Sequence, residues 1–212
     1  MNIIVKSRNF FRKLIQLHAP RSIKARLWNR EFLRGCWDEI YSTPGDYRYA
    51  YVEKYAHSGS ILDLGCGSGN TALELQPGSY ACYVGVDISD AAIRIARKRS
   101  KLADRMNNRY AQADITEYVP VQLFDVILFR ESIYYIPISK ILETLRRYSH
   151  FLVLNGVIIV TLSRGPARPQ IQELIVGNFH MLEQAEGQDG SHLIVLRPPN
   201  QGAKSSRRAI ST

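Results

Sequence analysis

Ile61-Leu62-Asp63-Leu64-Gly65-Cys66-Gly67-Ser68-Gly69 joins a short apolar run to a set of alternating glycines. An apolar run of this length that stops at glycines reads as a buried strand, Ser60–Leu64, entering a tight turn. The segment that follows, Asn70–Leu75, reads as a short helix closed by Pro77-Gly78. Tyr83–Asp87 is a second apolar strand. Ser89 or Asp90 can cap a helix to about Leu102, with Ala92, Ile93 and Ala96 facing inward. Further along, Arg109–Ala113 and Phe124–Phe129 read as strands, and Ser139 as the cap of a helix carrying Ile141, Leu142, Leu145 and Tyr148. Gly156–Leu162 is a fifth strand and Gln170–Asn178 a helix. Phe179–Ala185 and His192–Leu196, joined through Glu186–Ser191, form a closing hairpin. Strand and helix alternate and then two strands come together. The pattern predicts an α/β fold with a mainly parallel seven-stranded sheet, an antiparallel end and helices on both faces.

A glycine turn between strand and helix lets the backbone approach a ligand, because no Cβ stands in the way. In open parallel sheets such ligands sit beyond the carboxyl ends of the strands. Two acids flank this turn: Asp63 lies two residues before Gly65, and Asp87 ends the next strand. A carboxylate at the second position can accept both hydroxyls of a ribose. Nicotinamide-dinucleotide loops share these features, but their pattern is Gly-x-Gly-x-x-Gly, aimed at a pyrophosphate. Here the spacing is Gly-x-Gly-x-Gly, and Asp63 would repel a pyrophosphate. It would attract S-adenosylmethionine (SAM), which carries an ammonium and a sulfonium. An NAD(P)-dependent oxidoreductase, a SAM-binding module without activity and a glycine turn without a ligand stand as the alternatives.

At this point the sequence resembles the class I SAM-dependent methyltransferases. The resemblance rests on Ile61–Gly69, Tyr83-Val84-Gly85-Val86-Asp87-Ile88-Ser89, Gln112-Ala113-Asp114-Ile115, Phe124–Phe129 and Leu154–Val160. It spans about residues 45–197 in the family's order and implies the Rossmann-like class I methyltransferase fold, with SAM as cofactor. It places Asp63, Gly65, Cys66, Gly67 and Gly69 at the methionine end and Asp87 with Ile88 at the ribose. Asp114 and Ile115 fall beside the adenine, and Phe129 is counted with this set. Asp114 also has a local reading as a helix cap, and Asp125 reads as structural. Asn155 departs from the Pro or Lys common before Gly156.

Methyl transfer is an in-line displacement at carbon, so alignment and exclusion of water matter most. A hydroxyl acceptor also needs a base; a neutral amine does not. The segment Arg130-Glu131-Ser132-Ile133-Tyr134-Tyr135 follows the fourth strand and should border the methyl. Glu131 is the candidate base or amine-orienting group, and Tyr134 the candidate catalytic neighbour. Tyr135, Arg130 and Arg164 are candidates for substrate contact, against a bland reading as packed tyrosine and solvated arginines. Residues 36–58 are rich in aromatics and read as a lid, in which Trp37, Tyr41 and Tyr49 are substrate candidates. Trp37-Asp38, Thr43-Pro44 and Arg48-Tyr49 together resemble small bacterial methyltransferases of the nodulation type and of glycan or natural-product pathways. The expected activity is methyl transfer to N or O of a small-molecule or sugar substrate.

The net charge of +9 is unevenly spread: residues 1–35 contribute +8, residues 200–212 +3, and the segment between them −2. The near-neutral body weighs against a nucleic-acid substrate. Residues 1–35 read as a basic helical extension, and residues 1–17 as a helix suited to peripheral contact with an anionic membrane. Residues 36–198 form the methyltransferase-like domain, and 199–212 a predicted disordered basic tail. Cys36, Cys66 and Cys82 have no metal-like spacing, and none of His18, His57, His150, His180 and His192 has a partner at ligand spacing, so no metal is expected. Sparse cysteines and the lack of a leader-like apolar segment suit a cytoplasmic protein, with contact at a membrane surface left open. The oligomeric state is not legible.

Overall fold

The computed structural model describes residues 12–38 and 43–199. Residues 12–18 are helical (α1), followed by α2 (Arg21–Leu33), α3 (Tyr47–Ala56), β1 (Ser60–Leu64), α4 (Asn70–Glu74), β2 (Cys82–Asp87), α5 (Asp90–Leu102) and β3 (Asn108–Gln112). Then come β4 (Phe124–Arg130), a 3-10 turn at Ile133–Tyr135, α6 (Ile138–Ser149), β5 (Leu152–Leu162), α7 (Arg168–Val176), β6 (His180–Glu186) and β7 (His192–Arg197). The seven strands form one sheet in the order β3-β2-β1-β4-β5-β7-β6. All neighbours pair in parallel except β5–β7 and β6–β7. The expected parallel sheet with an antiparallel end is therefore present.

Two-residue alternation explains the two layers. Ile127, Phe129, Ile158, Val160, Ile194 and Leu196 pack with Ile141, Leu145 and Tyr148 of α6 and Ile171 and Ile175 of α7. Their strand neighbours Val126, Leu128, Val157, Ile159, Leu193 and Val195 face the other way, toward α3, α4 and α5. By the same alternation Asp63, next to Leu62 and Leu64, projects to the α3–α5 side. There the Tyr83 hydroxyl donates to its Oδ2 at 2.6 Å.

Most predicted elements occur within a few residues of their expected ends. α5 is capped as expected, with Ser89 Oγ accepting from Ala92 N–H at 3.1 Å. Ser139 is not a cap: α6 starts at Ile138, after Pro137. β5 begins at Leu152 rather than Gly156. It pairs first with Phe124, slips register, and then continues. The slip is made possible by Asn155 at φ 66° and by Gly156, where a Cβ would lie 2.9 Å from the Phe124 carbonyl oxygen. α7 starts two residues early because Pro169 fits a first helical turn. Among the described residues no helix is long and apolar enough to cross a membrane. Residues 1–11 and 200–212, with the membrane-contact and tail expectations that fall on them, lie outside the described residues.

The strand order reverses between β1 and β4: from β1 the chain runs outward to β3, and from β4 in the opposite direction. The loops after β1 and β4 therefore diverge and leave a crevice at the carboxyl ends of the strands.

Candidate active site

The crevice holds a cavity of about 510 Å³, within the range of small-molecule sites. Its floor is the glycine turn. Gly65, Gly67 and Gly69 have φ of 86°, 54° and 77°, which favour glycine. Gly65 and Cys66 donate N–H bonds to the Val86 carbonyl at 2.7 and 3.0 Å, tying the turn to β2. A Cβ on Gly65 would lie 2.5 Å from Ser132 Cβ, so the turn also touches the loop after β4. Ser132 Oγ donates to the Leu64 carbonyl and closes that contact.

Asp87 lines the cavity and holds the turn as well. Its Oδ2 accepts from Gly67 N–H at 2.9 Å and its Oδ1 from Ser89 N–H at 2.8 Å. Burial pushes its carboxyl up to about 6, against the lowering effect of those N–H donors. Ile88, Asp114 and Ile115 continue the same wall. Both readings of Asp114 meet in one carboxylate: it borders the cavity while Oδ1 accepts from Thr116 N–H at 2.9 Å and from Thr116 Oγ1 at 2.7 Å. Asp125 ties β4 to β1, accepting from Ser60 N–H at 2.7 Å and Ser60 Oγ at 2.9 Å.

Three candidates for the cofactor set lie behind the cavity wall. Asp63 is 1% exposed; burial raises its carboxyl, and its Oδ1 has no hydrogen-bond partner. Gly69 starts α4, where a Cβ would meet Tyr110 Oη at 2.9 Å, so its glycine serves helix packing. Phe129 is fully buried and packs edge-on against Tyr148 at 5.8 Å, because alternation along β4 turns it toward α6.

The opposite half of the cavity is aromatic and charged. Asn29 docks α2 onto α5, its Oδ1 accepting from Ser89 Oγ at 2.8 Å and Ala91 N–H at 3.1 Å. This brings Trp28 and Phe32 over the turn, with Phe32 Cζ 3.5 Å from where a Cβ on Gly67 would sit. Trp37 lines the same roof, and Trp28 meets Tyr135 edge-on at 4.8 Å. The described part of the N-terminal basic helix is docked here. Arg12 bridges both oxygens of Glu31 at 2.6 and 2.8 Å and lies over the Trp28 and Trp37 rings, while Lys13 and Leu14 face solvent.

Glu131 occupies a left-handed conformation, φ 55°, at the cavity wall. Its Oε1 accepts from Thr161 Oγ1 at 3.0 Å, and its Oε2 from Ser163 N–H at 2.7 Å and Tyr134 Oη at 3.1 Å. Burial pushes the Tyr134 phenol upward, so it stays a donor. Arg48 and Arg130 share Asp46, whose Oδ2 accepts from Arg48 Nη1 at 2.6 Å and Arg130 Nη2 at 3.1 Å. Arg48 Nη2 also donates to Asp189 Oδ2 at 3.0 Å. The Ser191 hydroxyl and N–H, with Arg48 adding, hold the Asp189 carboxyl down to about 2.

The structure thus brings Glu131, Tyr134, Tyr135, Arg130 and Trp37 to one cavity. Tyr49 is not part of that wall: it is buried beneath Arg130, whose guanidinium lies 5.2 Å from its ring centre. Arg164 borders a neighbouring cavity instead, its guanidinium lying against Gly190. Tyr41 lies outside the described residues. Gln16, Asp46, Arg48, Ser132 and Asp189 line the cavity without having been singled out. In the sequence Asp46 follows the turn Pro44-Gly45 at a helix start and Arg48 lies among Tyr47, Tyr49 and Tyr51, whereas Asp189 lies in a turn-forming stretch.

A switch point with a glycine turn, and acids ending β2 and following β3, define a Rossmann-like methyltransferase domain. The methyltransferase-domain family matches residues 57–193, well over half of the chain, and the chain belongs to this class I SAM-dependent family. Its cofactor is SAM, and the nicotinamide alternative falls away. A 27-O-demethylrifamycin SV methyltransferase of Amycolatopsis mediterranei is 28% identical over 121 residues, 53% of this chain and 44% of that protein. A fission-yeast (Schizosaccharomyces pombe) mRNA cap guanine-N(7) methyltransferase is 26% identical over 171 residues, 74% of this chain and 46% of that protein. The chain thus spans less than half the length of these curated relatives. The crystal structure of the N-methyltransferase NodS from Bradyrhizobium japonicum WM9, with S-adenosylhomocysteine (SAH), superposes with a TM-score of 0.66. That match covers 81% of this chain and 98% of the other at 18% identity, a likeness of fold.

The residues present fit SAM. Asp63 offers a buried carboxylate oxygen without a partner, suited to charge complementarity with the cationic end. Asp87 borders the cavity at the strand end where ribose hydroxyls are received. Gly65 and Gly67 keep the floor open beside Cys66 and Ser68.

Proposed function

We propose that this chain is a methyltransferase that moves the methyl group of SAM to a nitrogen or oxygen of a small-molecule or sugar acceptor. The observation that carries this reading is Glu131. Three donors fix its carboxylate at the cavity wall, and its backbone lies in the left-handed region at φ 55°. A carboxylate has room for about four hydrogen bonds, so acceptor capacity is left for an acceptor N–H or O–H.

Asp63 and the turn Gly65–Gly69 would hold the methionine end, Asp87 and Ile88 the ribose, and Asp114 and Ile115 the adenine. SAM supplies an electrophilic methyl on a cationic sulfur. Glu131 orients the acceptor and receives its proton, directly or through water. Meanwhile the acceptor's lone pair bonds the methyl carbon and the carbon–sulfur electron pair stays on sulfur. Tyr134 keeps Glu131 in place, and Trp28, Phe32 and Trp37 exclude water. A cavity of about 510 Å³, on the scale of small-molecule sites, favours a compact acceptor over a macromolecule.

The test is the product mass formed from isotopically labelled SAM with panels of amines, sugars and hydroxylated metabolites. For a hydroxyl acceptor, Glu131→Gln should lower kcat by about a hundredfold or more, the usual scale for a general base, at unchanged SAM affinity. Tight SAM binding without transfer to any acceptor would mark a binding module instead.

A further inference from the structure

Beside the main cavity lies a second one of about 290 Å³, and Gln16, Tyr134, Tyr135 and Ser163 line both. The two differ in charge. In the main cavity Arg48 and Arg130 are each paired with a carboxylate. The second is lined by Arg12, Lys13, Arg164 and Arg168 and, among the described residues, by no acid. Arg12 is bound to Glu31, but Lys13, Arg164 and Arg168 have no carboxylate within 4.0 Å among the described residues.

Two of these cations are held in place by the β6–β7 turn. A Cβ on Gly190 would fall 1.8 Å from Arg164 Nε, so the bare glycine lets Arg164 lie across the turn. Arg168 Nη1 donates to the Gly190 carbonyl at 2.6 Å. Gln16 supplies an independent sign of a ligand. It is 4% exposed, stands in the wall common to both cavities, and its Nε2 has no hydrogen-bond partner. Buried donors are almost always satisfied, so an orphaned one at a cavity wall points to an acceptor supplied from outside. The chain's own first eleven residues do not complement such a site, since they carry Lys6 and Arg8 and no acid.

We propose that this second cavity is an anion subsite for the methyl acceptor. A carboxylate or phosphate of the acceptor sits between Gln16 Nε2 and the cations of Lys13, Arg164 and Arg168. The rest of the acceptor passes Tyr134 and Tyr135 and presents its nucleophile beside Glu131. The acceptor is thus a small anionic molecule with an apolar or aromatic middle, matched to the Tyr134 and Tyr135 rings that line both cavities. This inference rests on the methyltransferase reading and names the substrate class within it.

Calorimetry on the full chain tests it in two stages. SAH is titrated first; failure to bind would overturn the methyltransferase reading, and the subsite with it. The SAH-loaded protein is then titrated with benzoate, phenyl phosphate and benzyl alcohol. The expected result is binding of at least one anion, with the alcohol tenfold weaker or worse; which anion prevails tells carboxylate from phosphate. Arg164→Ala and Gln16→Leu should each weaken the anion about tenfold while SAH affinity holds, the scale of a lost charge-assisted contact. Gly190→Ala should weaken it too, by displacing Arg164 without removing a charge. Equal binding of anion and alcohol, no binding of any probe, or an anion affinity untouched by Arg164→Ala combined with Arg168→Ala would overturn the subsite alone.

Discussion

Along the cofactor half of the cavity, the contacts that shape the wall mostly join residues within 20 positions of one another, the tie from Ser132 to Leu64 apart. Asp87 reaches Ser89 two residues on and Gly67 20 residues back, and Asp114 reaches Thr116. Along the acceptor half they join residues far apart: Arg48 to Asp189 across 141 positions, Tyr47 to Ser191 across 144, Arg130 to Asp46 across 84. The first half is thus a local strand–turn–helix device that the sheet merely displays. The second exists only once the lid helix α3, the loop after β4 and the closing hairpin have met. Its charges are also more deeply committed, because Asp46 at 7% side-chain exposure neutralises two arginines at 10% and 16%.

The contrast is most easily broken at Asp46. Asp46→Ala removes the carboxylate that Arg48 and Arg130 share and the cap that accepts from Arg48 N–H at 3.0 Å. Arg48 keeps Asp189, but Arg130 loses the carboxylate it is paired with; leaving a buried charge unpaired costs about 3–5 kcal/mol, and this variant should lose stability on that scale in urea unfolding. A loss below about 1 kcal/mol would mean that apolar packing, not charge, assembles the acceptor half.

Asp87→Asn probes the other half and should spare the fold more than the ligand. Losing charge-assisted acceptors for the ribose should weaken SAM by about 1.5–3 kcal/mol. The pH dependence sharpens the point. The cofactor-free protein holds Asp87 at about 6 against an ordinary 3.8, so it binds this proton more tightly than the unfolded chain does. Its contribution to stability is present below about 3.8 and lost as pH rises toward 6. Cofactor affinity runs in the opposite sense, since the ribose hydroxyls need the ionised carboxylate. It should fall up to about tenfold per pH unit below 6 in the natural protein and stay flat in Asp87→Asn. Equal slopes in both proteins would remove Asp87 from the ribose.

This division also explains what was legible beforehand. The turn Asp63–Gly69, the acid ending β2 and the capped helix α5 each announce themselves in a few consecutive residues, and the structure builds each of them. Alternation along β4 could have placed Phe129 in the core, since Ile127 and Phe129 share a face away from Val126 and Leu128. The family resemblance outweighed that simple count. Asp189 shows why the acceptor half stayed hidden. In sequence it is one polar residue of a turn, and it gains meaning only when Arg48, brought from the other end of the domain, lies against it. Tyr49 is a milder case: an aromatic lid residue suggests a substrate wall, yet its helix register turns it inward beneath Arg130.

Tyr49 is also where the two halves are tied. Its hydroxyl lies within hydrogen-bond distance of Thr43 Oγ1 and accepts from Asn70 Nδ2 at 3.1 Å, joining the lid entry to the first residue of α4. Tyr49→Phe keeps the ring beneath Arg130 and removes only the hydroxyl. Asn70 Nδ2 retains Thr43 Oγ1 at 3.1 Å, so no donor is stranded. The expected loss is that of one hydrogen bond, about 1 kcal/mol, with SAM affinity unchanged. Tyr49→Leu removes the ring as well and should cost more than Tyr49→Phe by the further buried contact with Arg130, about 2 kcal/mol. If Tyr49→Phe matched the natural protein and Tyr49→Leu carried the whole loss, the halves would be joined by stacking alone. The hydrogen-bonded bridge from Thr43 to Asn70 would then be incidental.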